Sequence, residues 1–316
     1  MIAALIVVSL LAANQSSPQE LLKRGLVELQ QGKIAEARGD LEQASRAEPT
    51  NAYVWSALAQ TYLKANEPKL ASGAAENAEK LGGKDPVVCH ALAMYYSETG
   101  QPERAAKLDA QIAFTLIKSE LERGEFTQAA DVAEAGLEGH PRDAQLTLAL
   151  GVARYGQRRF EDAVIAFLQV IAIDPSVEQP YVFLGKILDQ AGPHLSEITT
   201  AYEAWSARDP RNAKAQLLLA KALLTANNRD QRGQALLEKS ISLDGADWEA
   251  HYELGVLLEG KRDYPAAAKE LQRAIELAPR QPEPHYHLAR VYDRLGEPER
   301  AEAEREIHQK LGAGPH

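Results

Sequence analysis

Residues 254–279, LGVLLEGKRDYPAAAKELQRAIELAP, have a counterpart of equal length at residues 150–175, LGVARYGQRRFEDAVIAFLQVIAIDP. Both stretches begin with Leu-Gly, and both end at a proline. Because proline just beyond a helix cannot continue it, each stretch predicts two short helices followed by a stop. The two stretches start 104 residues apart, which is about three periods of 34 residues.

Three kinds of residue recur with the same period. A small residue between the two helices recurs as Gly32, Gly100, Gly124, Gly260 and Gly296. A small residue early in the second helix recurs as Ala37, Ala71, Ala105, Ala129, Ala163, Ala267 and Ala301. A terminating proline recurs as Pro49, Pro141, Pro175, Pro210 and Pro279. The first helices carry Leu followed by Gly or Ala, so that Leu fills the interface and its small neighbour permits a close approach.

This pattern resembles the tetratricopeptide repeat family. The match is carried by Trp55, Leu58, Ala59, Tyr62, Ala71 and Ala78, by Leu150, Gly151, Ala163, Phe167 and Pro175, and by Leu254, Gly255, Ala267, Leu271, Ala274 and Pro279. Nine repeats begin near residues 18, 52, 86, 110, 144, 178, 213, 248 and 282. The resemblance implies an all-α fold, a right-handed α-solenoid (superhelix) of about nine helix-turn-helix units over residues 18–312, followed by a tail at 313–316.

Two places depart from the pattern. Arg24 and Glu28 stand where the family has apolar residues, as in a solvated cap. Gly100 and Gly124 are 24 residues apart, ten fewer than a period, and no Gly or Pro lies between Glu103 and Arg123. We predict one long helix through this irregular join, residues 101–123, that divides the array into two blocks.

The N-terminus carries an uncharged apolar run, Ile2 to Ala13. It is too short to span a bilayer, which takes about 20 residues, and resembles the apolar part of a signal peptide. We therefore expect a signal peptide at 1–13, a polar linker at 14–17, and export of a bacterial protein to the periplasm or the exterior. The alternatives are a mis-assigned start or an uncleaved anchor; without a signal the protein is cytoplasmic.

Composition excludes several classes of function. The net charge of −10 lacks the basic footprint that nucleic-acid binding needs. Cys89 is the only cysteine, so neither an intrachain disulfide nor a metal site with two cysteines can form. No nucleophile motif, phosphate loop or metal-ligand spacing occurs, which predicts a non-enzymatic protein without cofactor or metal.

The remaining polar residues have structural interpretations. His285 and His287 diverge on a helix, and His251 occupies the position of His285 one repeat earlier, where packing is the expected role. The acidic pairs Glu161-Asp162 and Glu302 with Glu304 are expected to be solvated.

The family resemblance implies that first helices line a concave groove. Four of eight residues at the ninth repeat position are basic, and aromatic residues lie at other inward positions. The candidate partner-binding residues are Lys118, Phe183, Lys186, Lys221, Tyr252, Tyr286, His287 and Arg290. Spaced cations and aromatic rings fit an acidic or C-terminal peptide. Alternatively, these residues are ordinary solvated residues that balance Glu253, Glu259 and Asp293.

The carboxylate clamp by which some family members hold chaperone tails is not matched, because no Asn occupies inward position 6 or 9. We therefore expect a non-enzymatic scaffold that binds a protein or peptide. The alternative is a self-assembling structural protein.

Overall fold

The computed structural model describes residues 16–228 and 230–312. The expected signal peptide, the first half of the linker and the tail lie outside these residues. The described chain folds into two compact bodies, divided between Gln157 and Arg158. The N-terminal body contains α1 (Pro18–Gln30), α2 (Ile34–Ala47), α3 (Ala52–Lys64), α4 (Pro68–Gly82), α5 (Pro86–Glu98), α6 (Pro102–Glu122), α7 (Phe126–Gly139) and α8 (Ala144–Gly156).

The C-terminal body is also helical throughout its described residues. It contains α9 (Phe160–Ile173), α10 (Gln179–Lys186), α11 (Leu195–Arg208), α12 (Ala213–Ala226), α13 (Gln231–Leu243), α14 (Trp248–Gly260), α15 (Tyr264–Leu277), α16 (Pro282–Leu295) and α17 (Pro298–Gly312). The described residues thus form seventeen α-helices, and consecutive helices pair as helix-turn-helix repeats.

A left-handed residue ends the first helix of most repeats. Gly32, Gly100, Gly124 and Gly296 have φ between 72° and 79°, a range that glycine adopts without a steric penalty. Asn66, Arg158 and Arg262 take the same conformation in other repeats, with φ of 58°, 60° and 65°. Gly260 was expected at such a turn, but it belongs to the last turn of α14, and Arg262 reverses the chain instead.

The small residues permit close helix approach, as their spacing predicted. A Cβ added at Gly255 would lie 2.7 Å from Leu271 Cγ, and one added at Gly25 would lie 2.7 Å from Leu41 Cγ. The alanines of the second helices are fully buried at 37, 71, 129, 163, 267 and 301. The two helices of a repeat therefore pack with little side-chain volume between them.

The long helix predicted through the irregular join is present as α6. Its first half places Ala105 and Leu108 in the same apolar cluster as Leu92. Its second half places Ala110 and Ile117 in the next cluster, which continues to α8. The division of the described chain into two bodies lies beyond α8, between Gln157 and Arg158, and α6 packs against both α5 and α7 within the N-terminal body.

The sixth repeat departs from the pattern in a way that the sequence analysis missed. Its first helix, α10, ends at Lys186 and is followed by two 3-10 turns, Leu188–Gln190 and Gly192–His194. Gly192 has φ of 53°, and Pro193 lacks an N–H and cannot extend the helix. The first helix of this repeat is therefore shorter than its counterparts, and Asp189 beyond it is exposed.

A polar tether recurs near the start of the first helices. The side chain at the fourth repeat position hydrogen-bonds the backbone carbonyl six residues earlier. The pairs are Trp55 with Pro49, Cys89 with Gly83, Tyr181 with Pro175, Gln216 with Pro210, His251 with Gly245 and His285 with Pro279. Each tether fixes the start of one repeat to the end of the preceding one.

The tether gives His251 and His285 the structural role predicted for them. Their Nδ1 atoms lie 2.7 Å from Glu270 and 2.5 Å from Glu304, both on second helices. Glu304 was expected to be solvated, but it faces the buried His285 because α17 packs against α16. Glu161, by contrast, is exposed.

We predict that Gly255→Val lowers the free energy of unfolding by about 1–3 kcal/mol, because the added methyl groups overpack Leu271. Gly260→Val on the same helix is the matched control, since no atom lies within 4 Å of its Cβ position. Urea unfolding of both variants measures the difference. Equal midpoints for the two variants would contradict the close-approach account.

Candidate functional site

The C-terminal body contains a groove of about 1030 Å³. Its walls come from the first helices of three successive repeats, α10, α12 and α14, with Asp189 of the first 3-10 turn at one edge. Leu188, Leu224 and Val256 give it apolar surface, and Lys186 and Lys261 add cations. This combination of apolar walls and a few charged groups is typical of sites that bind a ligand.

Three of the candidate residues line this groove: Lys186, Lys221 and Tyr252. Phe183 lies beside Lys186, with its ring stacked on Phe167 at 5.0 Å and an interplanar angle of 9°. The Lys186 ammonium is 5.6 Å from the centroid of the Phe183 ring. Lys186 is exposed, so its charge is accessible to a ligand in the groove.

A network of half-buried charges joins α12 and α14, and two of its members, Lys221 and Glu253, line the groove. The Nζ atom of Lys221 lies 2.5 Å from Glu249 Oε1 and 3.5 Å from Glu253 Oε1. Lys214 lies 3.1 Å from Glu249 and 3.3 Å from Asp247. These ion pairs join the seventh and eighth repeats and neutralise Lys221 within the protein.

The two glutamates of this network titrate differently. Burial alone would raise the pKa of Glu249, but Lys221 and Lys214 outweigh it and lower that pKa below its ordinary value. Burial raises the pKa of Glu253, since Lys221 offsets the effect only in part and Glu249 and Asp189 add to it. For Lys221, burial would lower the pKa, but Glu253 and Glu249 raise it on balance. Ionised Glu249 therefore stabilises the folded protein through Lys221, whereas ionised Glu253 costs the folded state free energy.

Tyr286, His287 and Arg290 lie on α16, the first helix of the ninth repeat. His287 Nδ1 is 2.6 Å from Glu259, and Arg290 lies 3.0 Å from the same carboxylate. His285 contacts Glu304 of α17 instead, so the two histidines contact different helices. Glu259 therefore fixes His287 and neutralises Arg290.

Five rings form a continuous series across α14, α16 and α17. This ring ladder consists, in order, of Trp248, Tyr252, His287, Tyr286 and His308. Successive centroids are 6.1, 5.6, 5.3 and 5.5 Å apart. The ladder brings together three of the candidate residues, Tyr252, Tyr286 and His287.

Lys118 lies on α6 of the N-terminal body. Its side chain is 68% exposed, and its Nζ atom is 3.8 Å from Glu122 one turn later. This is the geometry of an ordinary exposed i,i+4 pair, which contributes a few tenths of a kcal/mol at most.

The sequence analysis missed four residues of this region: Asp189, Glu249, Lys261 and Trp248. Lys214 and Glu249 occupy the second position of adjacent repeats, so their opposite charges could have predicted an ion pair between the repeats. Asp189 owes its place to the 3-10 turns and could not be read from the repeat pattern.

Residues 16–228 and 230–312 contain no group of three His, Cys, Asp or Glu side chains that could hold a metal ion. Across the same part of the chain, no helix has the length and apolarity needed to cross a bilayer.

Comparison with known sequences gives matches to tetratricopeptide repeat models at residues 28–86, 114–178 and 257–304, together more than half of the chain. The chain is 25% identical over 175 residues to intraflagellar transport protein 70B of Rattus norvegicus, which covers 53% of this chain and 26% of that protein. It is 27% identical over 145 residues to cytochrome c-type biogenesis protein CycH of Pseudomonas aeruginosa, and that match covers 45% of this chain and 30% of CycH. The matches span about a quarter to a third of the length of these relatives.

Among solved structures, the fold is similar to that of MamA, residues 41 to the end, from Desulfovibrio magneticus RS-1. The two chains are 22% identical, and the TM-score is 0.47. The superposition covers 55% of this chain and 97% of that one.

The charge network predicts opposite effects for two neighbouring substitutions. Glu249→Gln lowers the free energy of unfolding at pH 7 by about 1–3 kcal/mol, because it leaves half-buried Lys221 without its close partner. Glu253→Gln raises the free energy of unfolding, because folding raises the pKa of Glu253 and the ionised side chain therefore costs the folded state free energy.

Both differences shrink as the pH falls. The benefit of Gln at position 253 begins to shrink as the pH falls through the raised pKa of Glu253 in the folded state, and it is gone below the ordinary pKa of a glutamate, where both states are protonated. The lowered pKa of Glu249 means that its stabilisation is present above the ordinary pKa and is lost as pH falls through the folded pKa. Urea unfolding between pH 7 and pH 3 measures both trends, and shifts of the same sign at pH 7 would contradict this assignment.

Proposed function

Because this chain belongs to the tetratricopeptide repeat family, whose members are typically non-enzymatic scaffolds for protein interaction, we propose that it binds a segment of a partner protein in the groove of α10, α12 and α14. The observation that carries this proposal is that three successive first helices form one groove with both apolar walls and accessible charge. The proposal concerns binding alone and assigns no catalytic step to the chain.

The dimensions of the groove support a protein segment as ligand. Its volume of about 1030 Å³ is at the upper end of small-molecule sites, which span roughly 300–1,000 Å³. Its walls extend over three repeats, from Gly185 to Lys261, and the groove is open to solvent. A chain of several residues can therefore contact Leu188, Leu224 and Val256 in succession.

The accessible cations favour carboxylates on the partner. Lys186 and Lys261 are both exposed, and neither has a carboxylate within 4.0 Å among the described residues. Among the residues that the structure describes, the Lys261 ammonium donates to the Gln234 amide oxygen alone, at 2.6 Å. Lys221 and Arg290 are already paired, so the acidic side chains of a partner are expected at Lys186 and Lys261.

Site-specific crosslinking identifies the partner segment. A photoreactive residue replaces Thr225, which is exposed and lines the groove, and a second variant carries it at exposed Ser242 on α13. We expect position 225 to crosslink a defined segment that contains Asp or Glu. Position 242 is expected not to capture that segment.

Charge reversal then tests the role of the two lysines with the synthetic form of that segment. We predict that Lys186→Glu with Lys261→Glu weakens binding by about tenfold or more, since each lost charge-assisted hydrogen bond contributes about 1.5–3 kcal/mol. Lys239→Glu with Lys269→Glu makes the same charge change on exposed sites outside the groove and is the control. Equal affinity of the two double variants, measured by calorimetry, would overturn the groove assignment.

We also propose that residues 1–13 direct export, so that binding occurs in the periplasm or outside the cell. The uncharged apolar run of Ile2 to Ala13 and the turn-prone residues after it support this proposal.

Export predicts a shortened protein in cells. Mass spectrometry of the chain from an envelope fraction should find an N-terminus at Asn14, produced by cleavage after Ala13. Replacing Leu10 and Leu11 by Arg breaks the apolar run and should retain the uncleaved chain in the cytoplasm. An intact Met1 in the envelope fraction would favour an uncleaved anchor, and an intact Met1 in the native cytoplasm would refute export.

A further inference from the structure

The ring ladder continues from the groove toward the C-terminal helices, because Tyr252 belongs to both. Tyr252 and Tyr286 occupy the same position of successive repeats, 34 residues apart. Tyr286 is 45% exposed, whereas Trp248 and Tyr252 are half-buried. The rings therefore form a partly open aromatic surface rather than an enclosed core.

Polar contacts hold the ladder in place. His287 is fixed by Glu259 at 2.6 Å, and His308 Nδ1 lies 3.0 Å from the carbonyl oxygen of Pro282. The Arg290 guanidinium lies 5.6 Å from the Tyr286 ring centroid. Because these neighbours are themselves paired, the rings need little rearrangement to receive a ligand.

The ladder also presents unused hydrogen-bond donors. Within residues 16–228 and 230–312, the Trp248 indole N–H and the Tyr252 and Tyr286 hydroxyls make no hydrogen bond to the protein. A ligand that fits this surface therefore has apolar faces for the rings and free carbonyl oxygens for the donors.

A polyproline II helix has both properties. It forms no internal hydrogen bonds, so its carbonyls are free, and proline has no N–H that would need an acceptor.

We propose that the ring ladder binds a proline-rich segment in the polyproline II conformation, with a basic residue beside the prolines. The inference extends the proposed function, and it rests on that function only in taking a protein segment as ligand.

The surrounding charges select the basic neighbour. Burial raises the pKa of the Tyr252 phenol, and the carboxylates of Glu253, Glu283 and Glu259 raise it further. Glu253 and Glu259 already have cationic partners, Lys221 and Arg290. Glu283 is exposed and has no ion pair among the described residues. An Arg or Lys of the ligand can pair with it, whereas the phosphates of a nucleic acid would be repelled.

An α-helical ligand fits less well, because its carbonyls are already bonded within the helix and would leave the three donors unused. An extended strand would also need acceptors for its N–H groups. The indole N–H of Trp248 and the unpaired hydroxyls of Tyr252 and Tyr286 therefore favour a proline-rich segment, whose carbonyls are free and whose prolines carry no N–H.

A synthetic peptide of ten prolines with one arginine at each end is the probe. Calorimetry with the full chain compares it with an arginine-flanked Gly-Ser peptide of equal length. We expect the proline peptide to bind at least about tenfold more tightly, a difference of about 1.4 kcal/mol. Equal affinity of the two peptides would overturn the proposal.

Variants locate the binding on the ladder. Tyr286→Ala removes an exposed ring and is expected to weaken proline-peptide binding about tenfold, while Tyr286→Phe keeps the ring and loses only the donor, with a smaller effect. Tyr53→Ala is the matched control, since Tyr53 is 43% exposed and lies in the N-terminal body. Circular dichroism checks that each variant is folded.

Unchanged affinity in Tyr286→Ala would place the proline site elsewhere and overturn the assignment. Lys186→Glu with Lys261→Glu should leave proline-peptide binding intact, because those lysines are not part of the ladder. Failure of the proline peptide with retained, lysine-dependent binding of the crosslinked segment would refute the ladder and leave the groove proposal standing. If the proline peptide binds but binding of the crosslinked segment does not depend on the two lysines, the groove proposal is refuted and the ladder proposal stands.

Discussion

The close approach of the two helices in each repeat is the constraint on which the remaining structure depends. Gly25 leaves room for Leu41 and Gly255 for Leu271, and buried alanines do the same from the second helices. With so little volume between them, the helices of a repeat expose an apolar face that only the neighbouring repeat can cover. The fourth-position tethers then fix six of the repeats to the end of the one before.

This packing brings residues far apart in sequence into register on the first helices. Lys221 meets Glu249, and Arg290 meets Glu259, each across one repeat boundary. The protein's own carboxylates thereby neutralise Lys221 and Arg290. These internal ion pairs contribute to stability, and the proposed binding relies on other cations. Lys186 and Lys261 remain accessible at the groove. The ring ladder, which shares Tyr252 with the groove, adds aromatic rings and hydrogen-bond donors.

The period, the helix pairs and the long helix α6 could be predicted, because they depend on local residue types: small residues, prolines, and an interval without Gly or Pro. The body boundary after Gln157 could not, since it depends on packing between repeats. Gly192-Pro193 was a sequence signal for the short first helix of repeat six. The expectation of a regular repeat outweighed that signal. Glu304 appeared solvated because its burial depends on His285 of another helix.

The central claim is that first helices of the C-terminal body bind the partner. Hydrogen exchange of the full chain, with and without the crosslinked segment, tests this claim most directly. The account predicts added protection in α10, α12 and α14 and none in the second helices α11, α13 and α15. Protection confined to the second helices, or spread evenly over both sets, would contradict it.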